Sequence, residues 1–212
     1  MVRIEKLLRR FLAAVVTHDI WRIYSITDLC GQDFRAVGSL AKTTDISISE
    51  ISDADLLNAP GIDPELSKAN WYGSGAIGYA AWRGRTLAGV CWLWPGPLLG
   101  GRNVGVQKSD CAELIQITVS ARHRGLGLAP ALISHAVSRF AATGYRRLYA
   151  QIWHSNKASM KAFEKCGWVQ VAWVFRITPA RFLPSICYRR IEPAFRKQND
   201  VLEGWRDQAG TL

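Results

Sequence analysis

A chain of 212 residues, 49% of them hydrophobic, has material for one sizeable α/β domain with short extensions. No run of about 18 apolar residues reads as a membrane span, and the opening MVRIEKLLRR lacks the apolar block and small-residue cleavage site of a signal peptide. A net charge of +10 favours an anionic partner (a phosphorylated cofactor, nucleotide sugar, acidic carrier protein, membrane or nucleic acid), with a solubilising surface as the plain alternative. The charge is uneven. Residues 44 to 66 are acidic, through Asp45, Glu50, Asp53, Asp55, Asp63 and Glu65, whereas residues 120 to 165 are basic. The cysteines Cys30, Cys91, Cys111, Cys166 and Cys187 are scattered, odd in number and without CxxC pairing. They read as reduced thiols of a cytosolic protein rather than as a zinc site.

In chain order, residues 3 to 17 predict an amphipathic helix. Ile4, Leu7, Leu8, Phe11, Leu12, Val15 and Val16 keep the helical repeat, and Arg3, Lys6, Arg9 and Arg10 lie outside the stripe. A short strand follows at 21–26, then a linker without period to residue 43. Strand alternation appears at 46–51. Short helices are expected at 53–58, capped by Ser52, and at 64–71, with Asp63 as N-cap and Pro64 in the first turn. Residues 76–82 and 85–94 around Arg83-Gly84 read as a β-hairpin. A glycine-rich loop covers 95–110, and a strand covers 112–119. Next come a glycine turn, a helix to about Ala142, a strand at 147–153, and a helix capped by Ser155 or Asn156 that ends before Gly167. Strands at 168–177 and 185–191 and a polar tail from Glu192 close the chain.

The most informative feature is a strand followed by Arg124-Gly125-Leu126-Gly127-Leu128-Ala129 and then a helix. Two glycines let the backbone approach a ligand and turn amide N–H groups outward. At a helix N-terminus the dipole also favours negative charge, so this is chemistry for a pyrophosphate. The P-loop pattern G-x-x-x-x-G-K-S/T and the complete dinucleotide fingerprint are both absent. Arg124-x-x-Gly127-x-Ala129 matches the Q/R-x-x-G-x-G/A signature of the GNAT superfamily. The run Asn156 to Trp168 resembles that family's N-x-x-A/S-x-x-x-Y/F-x-K-x-G-F/W segment. The resemblance covers residues 46 to 191. It implies an α/β fold with a mixed central sheet of six to seven strands flanked by helices, the fourth and fifth strands splayed, plus the N-terminal helix. The domain would be 46–191, with 1–45 before it and a tail at 192–212.

The resemblance further implies acyl transfer from acetyl-CoA or another acyl-CoA to an amine. Backbone amides of Arg124, Gly125, Leu126, Gly127, Leu128 and Ala129 would hold the CoA pyrophosphate. Ile117 and Val119 would pair by backbone with the pantetheine, and Asn156 would lie near that arm or act only as a helix N-cap. Phe163, which would also contact the cofactor, sits at the family's aromatic position, where many relatives carry Tyr, and a phenylalanine cannot donate a proton. Glu113, eleven residues before Arg124, is where the histone-acetyltransferase branch carries its glutamate base. A carboxylate on an apolar strand is suited to that role. Tyr188, Tyr72 or His154 could supply the acid, although a thiolate with a pKa of about 8.5 leaves without much help.

The expected acceptor is a primary amine of a small molecule, with a loose likeness to polysaccharide- and glycolipid-associated members pointing to an amino sugar. The alternatives are a longer-chain transferase served by an acidic acyl-carrier protein at a membrane surface, and a non-catalytic CoA-binding module. The segment 3–17 fits peripheral contact with anionic lipid at the inner face of a membrane; it also fits packing against the domain or against a second copy in a homodimer. The basic patch 122–147 contains only Phe140 and Tyr145 as interleaved aromatics, which argues against nucleic acid.

Overall fold

The computed structural model describes residues 16–27, 29, 45–52, 61–68, 70–95, 110–179 and 186–192. Eight strands form one sheet: β1 (Val16–Thr27), β2 (Ile46–Glu50), β3 (Ile77–Arg83), β4 (Thr86–Trp94), β5 (Cys111–Val119), β6 (Arg147–Trp153), β7 (Val169–Pro179) and β8 (Ile186–Ile191). Among the described residues three α-helices join them: α1 (Pro64–Lys68), α2 (Leu128–Ala142) and α3 (Lys157–Lys165). The spatial order is β2-β3-β4-β5-β6-β1-β7-β8, and β5 and β6 pair in parallel while the other neighbours are antiparallel.

β1 departs most from expectation. Its sequence, VTHDIWRIYSIT, is rich in β-branched and aromatic residues and stays extended for twelve residues, starting at Val16 rather than Trp21. The expected helix over 3–17 therefore gives up its last two positions, Val16 and Thr17, which pair with Pro179 and Thr178; its remainder lies outside the described residues. The sheet does not divide at residue 45, because β1 lies between β6 and β7 and raises the strand count to eight. The expected helix at 53–58, the glycine-rich loop beyond Pro95 and the tail beyond Glu192 also lie outside the described residues.

The sheet separates two apolar layers. On one face α2 and α3 cover Tyr24, Ile26, Ala112, Leu114, Leu148, Ala150 and Ile152 with Leu132, Ala136, Phe140, Met160 and Phe163. On the other, Leu66 of α1 packs with Ile51, Ala80, Leu87, Val90 and Trp92. The hairpin β3–β4 turns at Gly84, whose φ of 58° is the left-handed conformation glycine adopts without strain. Asp63 caps α1 by accepting from the Glu65 amide at 3.0 Å, but the helix stops at Lys68, short of the expected Trp71. At the end of α3, Gly167 takes φ 78° and the Trp168 amide returns to the Phe163 carbonyl at 3.2 Å, closing the helix where the sequence places its stop.

β1 contributes Ile23, Tyr24 and Ile26 to the buried interior. Full burial is worth roughly 1.5–3 kcal/mol per large apolar side chain, against a total stability of about 5–15 kcal/mol. A chain starting at residue 28 should therefore fail to fold, since it also leaves the ladders of β6 and β7 without a partner. Circular dichroism and gel filtration check this; a cooperative, monodisperse truncation would show that β1 is dispensable.

Candidate active site

The site is organised by the point where β5 and β6 part. Opposite β4 the register slips between Trp92↔Gln116 and Leu93↔Leu114, so Ile115 is an extra residue on β5. Such a bulge bends its strand. The parallel pairing with β6 ends at Leu114↔Ala150, beside that bulge. Beyond it β6 is paired only by β1, through Gln151↔Ile23 to Trp153↔Trp21. The result is an open gap between the C-terminal halves of β5 and β6.

Two sequence-identified residues line the gap with backbone. The Ser120 amide donates to the Ala88 carbonyl at 2.9 Å, which makes these two a hydrogen-bonded antiparallel pair. By the alternation of such a ladder, the N–H and C=O groups of Val119 and Ile117, opposite Gly89 and Cys91, point away from β4 and into the gap. The Arg124 Nε donating to the Val119 carbonyl at 3.3 Å agrees with that direction.

The glycine turn follows directly. Gly125 and Gly127 take φ 80° and 82°, and α2 begins at Leu128. The amides of Leu128 and Ala129, first in the helix, have no intrahelical acceptor. Pro130, next in line, has no N–H to offer. A Cβ built on Gly125 would meet nothing within 4 Å, so the outer side of the turn is open to a ligand. These features fit a pyrophosphate cradle. The Arg124 side chain bridges the Val119 carbonyl and Glu65 of α1. Asp63 ties the same helix to the turn by accepting from the Ser120 hydroxyl at 2.7 Å. That bond and the Glu65 amide hold the Asp63 carboxyl below its usual pKa. The acidic segment thus clips onto the basic one.

Glu113 is 5% exposed and lies on the face opposite α2 and α3, with Trp94 of β4 and Tyr149 of β6 as its register partners. Sequence reasoning missed Tyr149. The signal was there: in RLYAQIW, Leu148, Ala150 and Ile152 enter the helical-side core, which assigns Arg147, Tyr149, Gln151 and Trp153 to the face that carries Glu113. Burial pushes the Tyr149 phenol well above its ordinary pKa, so it keeps its proton at neutral pH, and Arg147 Nη1 donates to it at 3.4 Å.

Other expected site residues lie elsewhere. Tyr188 is 62% exposed on β8 and packs on Phe175 on the α3 side of the sheet. Four strand spacings separate β8 from β5, about 19 Å, so Tyr188 does not serve Glu113. Phe163 is 2% exposed between Tyr24 and Trp168, as a core residue rather than a cofactor contact. His154 turns toward β1, with its amide and Nδ1 at 3.0 and 3.3 Å from the Ile20 carbonyl. Asn156 caps α3 by accepting from the Ser159 amide at 3.1 Å. The Tyr72 hydroxyl donates to the Ser52 carbonyl at 2.6 Å. Among the described residues no group of three or more His, Cys, Asp or Glu side chains could hold a metal, and no helix is long and apolar enough to cross a membrane.

A family model described as "Acetyltransferase (GNAT) family" matches residues 47–168, more than half of the chain. The protein belongs to this family, whose members transfer acyl groups from acyl-CoA. No curated protein matches it. Among solved structures, a GCN5-related N-acetyltransferase-like protein from Streptococcus suis 89/1591 superposes with a TM-score of 0.56 at 12% identity, covering 82% of this chain and 67% of that one. A conserved protein from Staphylococcus epidermidis ATCC 12228 gives 0.52 at 12% identity, with 84% and 68% covered. A tandem GNAT protein from the clavulanic acid biosynthesis pathway gives 0.52 at 18% identity; 82% of this chain is covered, and the chain spans 58% of that protein's length. At these identities the likeness is one of fold.

Two outcomes test the turn. Gly127→Val forces a β-branched residue into a left-handed conformation and places a side chain on the cradle. It should weaken CoA binding tenfold or more while circular dichroism still reports a folded protein, and unchanged affinity by calorimetry would remove the turn from the binding site. Asp63→Ala removes the hydrogen bonds by which an ionised carboxylate ties α1 to the turn. The KM for acyl-CoA should rise severalfold with kcat little altered. Because the folded-state pKa of Asp63 is lowered, its tether is complete above the ordinary carboxylate range and is lost as pH falls through the folded-state value. Wild type should therefore approach the variant's KM only in acid; a wild-type KM in the variant at neutral pH refutes the tether.

Proposed function

We propose that the chain transfers an acyl group, acetyl in the first instance, from acyl-CoA to the primary amine of a small molecule by direct attack, with Glu113 as general base. The observation that carries this reading is the position of Glu113: a buried carboxylate beside the point where β5 and β6 part. The acceptor nitrogen must lose a proton as it attacks, and a carboxylate at the apex of the cleft is placed to take it directly or through a water. On the donor side, the glycine turn offers amides to the pyrophosphate. The inward-facing backbone of Ile117 and Val119 offers a strand edge to the pantetheine amides and a donor to the thioester carbonyl, where charge develops in the transition state.

Departure of the thiolate needs little help. A CoA thiol has a pKa near the ordinary thiol value of about 8.5, so the phenylalanine at position 163 costs the reaction little. Tyr149, which holds its proton, is the buried acid nearest Glu113 in the sheet register. An amino sugar is the acceptor class we favour, since its amine is less basic than a lysine side chain and more of it is neutral at pH 7.

The test is release of free CoA thiol from acetyl-CoA across a panel of primary amines. Glu113→Gln keeps the size and most hydrogen bonding but cannot accept a proton, so kcat should fall about 100-fold with a strongly basic amine. CoA affinity, set at the turn, should stay near wild type. The acid limb of the pH–rate profile should lose the contribution of Glu113 and keep that of the amine. Near-wild-type turnover of a strongly basic amine by Glu113→Gln would exclude the carboxylate from the mechanism.

A further inference from the structure

The face that carries Glu113 continues past it. Tyr149, Gln151 and Trp153 form one row along β6, and Trp153 ends it where β5 has already turned away. Trp153 is 39% exposed, a large indole left open on a sheet face beside the cleft. Its orientation is fixed. Trp21, its register partner on β1, meets it edge to face, with centroids 5.8 Å apart and planes at 80°. The Arg176 guanidinium of β7 lies over Trp21 at 5.1 Å, and the His154 ring centroid sits 5.3 Å from that of Trp153. Asp19 is the register partner of Arg176 on β1, so this stretch carries one charge of each sign.

We propose that Trp153, held by Trp21, is an acceptor subsite that takes the flat apolar face of a ring, and that the acceptor is an elongated ring-bearing amine. This rests on Glu113 marking the reacting nitrogen. Four residues separate Tyr149, the partner of Glu113, from Trp153. At about 3.3 Å per residue the subsite is about 13 Å from the base along the strand. One hexosamine ring is too short to touch both. A two-ring glycoside with its amine on the far ring spans the distance, as does an arylalkylamine. Both present the same feature, a rigid ring face that an indole covers at little entropic cost. Linear amines present none. The subsite therefore selects by ring and by length, and the burial of apolar ring surface that Trp153 now leaves in water supplies the preference.

The experiment compares four amines with acetyl-CoA as donor: a glucosamine disaccharide, a phenylalkylamine with a six-carbon linker, glucosamine, and 1,6-diaminohexane. In the wild type the disaccharide or the phenylalkylamine should have a kcat/KM well above that of glucosamine and the diamine; whichever of the two is preferred identifies a sugar or an arene as the ring. Trp153→Ala should lower the ratio of kcat/KM for the ring-bearing amine to that for the diamine by roughly tenfold, within the usual effect of truncating an aromatic anchor. The change should appear in KM, and Trp153→Phe should restore most of it. An equal fall for ring-bearing and linear amines would make Trp153 merely structural, and an unchanged ratio would remove the subsite. Should no amine be turned over even by wild type, the assignment of Glu113 fails separately. Equilibrium binding then decides: the disaccharide or the phenylalkylamine should bind wild type and lose affinity for Trp153→Ala, and equal or absent binding to both overturns the subsite.

Discussion

Everything in this molecule follows from two neighbouring strands that cannot stay together. β5 and β6 are the parallel pair, bonded only from Cys111↔Arg147 to Leu114↔Ala150. One extra residue, Ile115, bends β5 at the point where that ladder stops. The gap would leave β6 with an unsatisfied edge in the middle of a sheet, an unstable arrangement unless other groups take those bonds. β1 pairs only the far edge of β6, down to Trp153, so the inner edges of both strands stay open over the gap. The inner edge of β5 remains, and it is a ready-made template for an extended ligand with amide groups of its own. An acyl-CoA carries such groups in its pantetheine arm. On the proposed reading, the fold makes a backbone binding site by withholding a strand.

Anchoring at the mouth of this gap is electrostatic and local. The glycine turn supplies amides and a helix start, and both suit phosphate better than any other common anion. The arginine that heads the motif is engaged by Glu65 and the Val119 carbonyl, so in the proposed site recognition would fall to the main chain. That division has a physical logic. Backbone amides fixed in left-handed glycine geometry lose no side-chain entropy when they bind, whereas an exposed arginine would. The exposed Arg124–Glu65 pair adds little by itself. Together with the Asp63–Ser120 bond, it sets α1 against the turn and so fixes the acidic half of the chain to the basic half.

Much of this was legible in the sequence, for identifiable reasons. The glycine turn, the hairpin at Gly84 and the Asn156 and Gly167 limits of α3 rest on residues whose conformational demands are local, and these positions agree with the structure. Glu113 was singled out by its spacing to Arg124, and the structure buries it beside the point where β5 and β6 part. The misreadings come from long-range order. Phe163 keeps its motif position yet is buried, because Tyr24 from β1 packs against its ring, and nothing near Phe163 in sequence announces that. Tyr188 has the right chemistry on a strand, but strand order places β8 at the sheet edge, beyond β1 and β7. Val16 ends a helical stripe by apolar spacing and yet pairs, with Thr17, in a ladder, since tertiary pairing overrides a weak period.

β1 also changes how the catalytic domain should be understood. The family model spans residues 47–168, and every group argued to bind acyl-CoA or accept the amine proton lies inside it. The sheet does not close inside it. β1 reaches the centre from outside the matched span, filling the place between β6 and β7. It supplies Tyr24 to the core and Trp21 to the acceptor face from alternate positions of one strand, as the two-residue period of a strand requires. On the reading proposed above, the donor site draws on the matched span alone, and the acceptor wall combines Glu113 and Trp153 of that span with Trp21 from outside it. If Trp153 is the acceptor subsite proposed above, a change in β1 would reshape acceptor choice through Trp21 without touching the turn or the β5 edge, a physical route by which one acyl-transfer site could serve different amines.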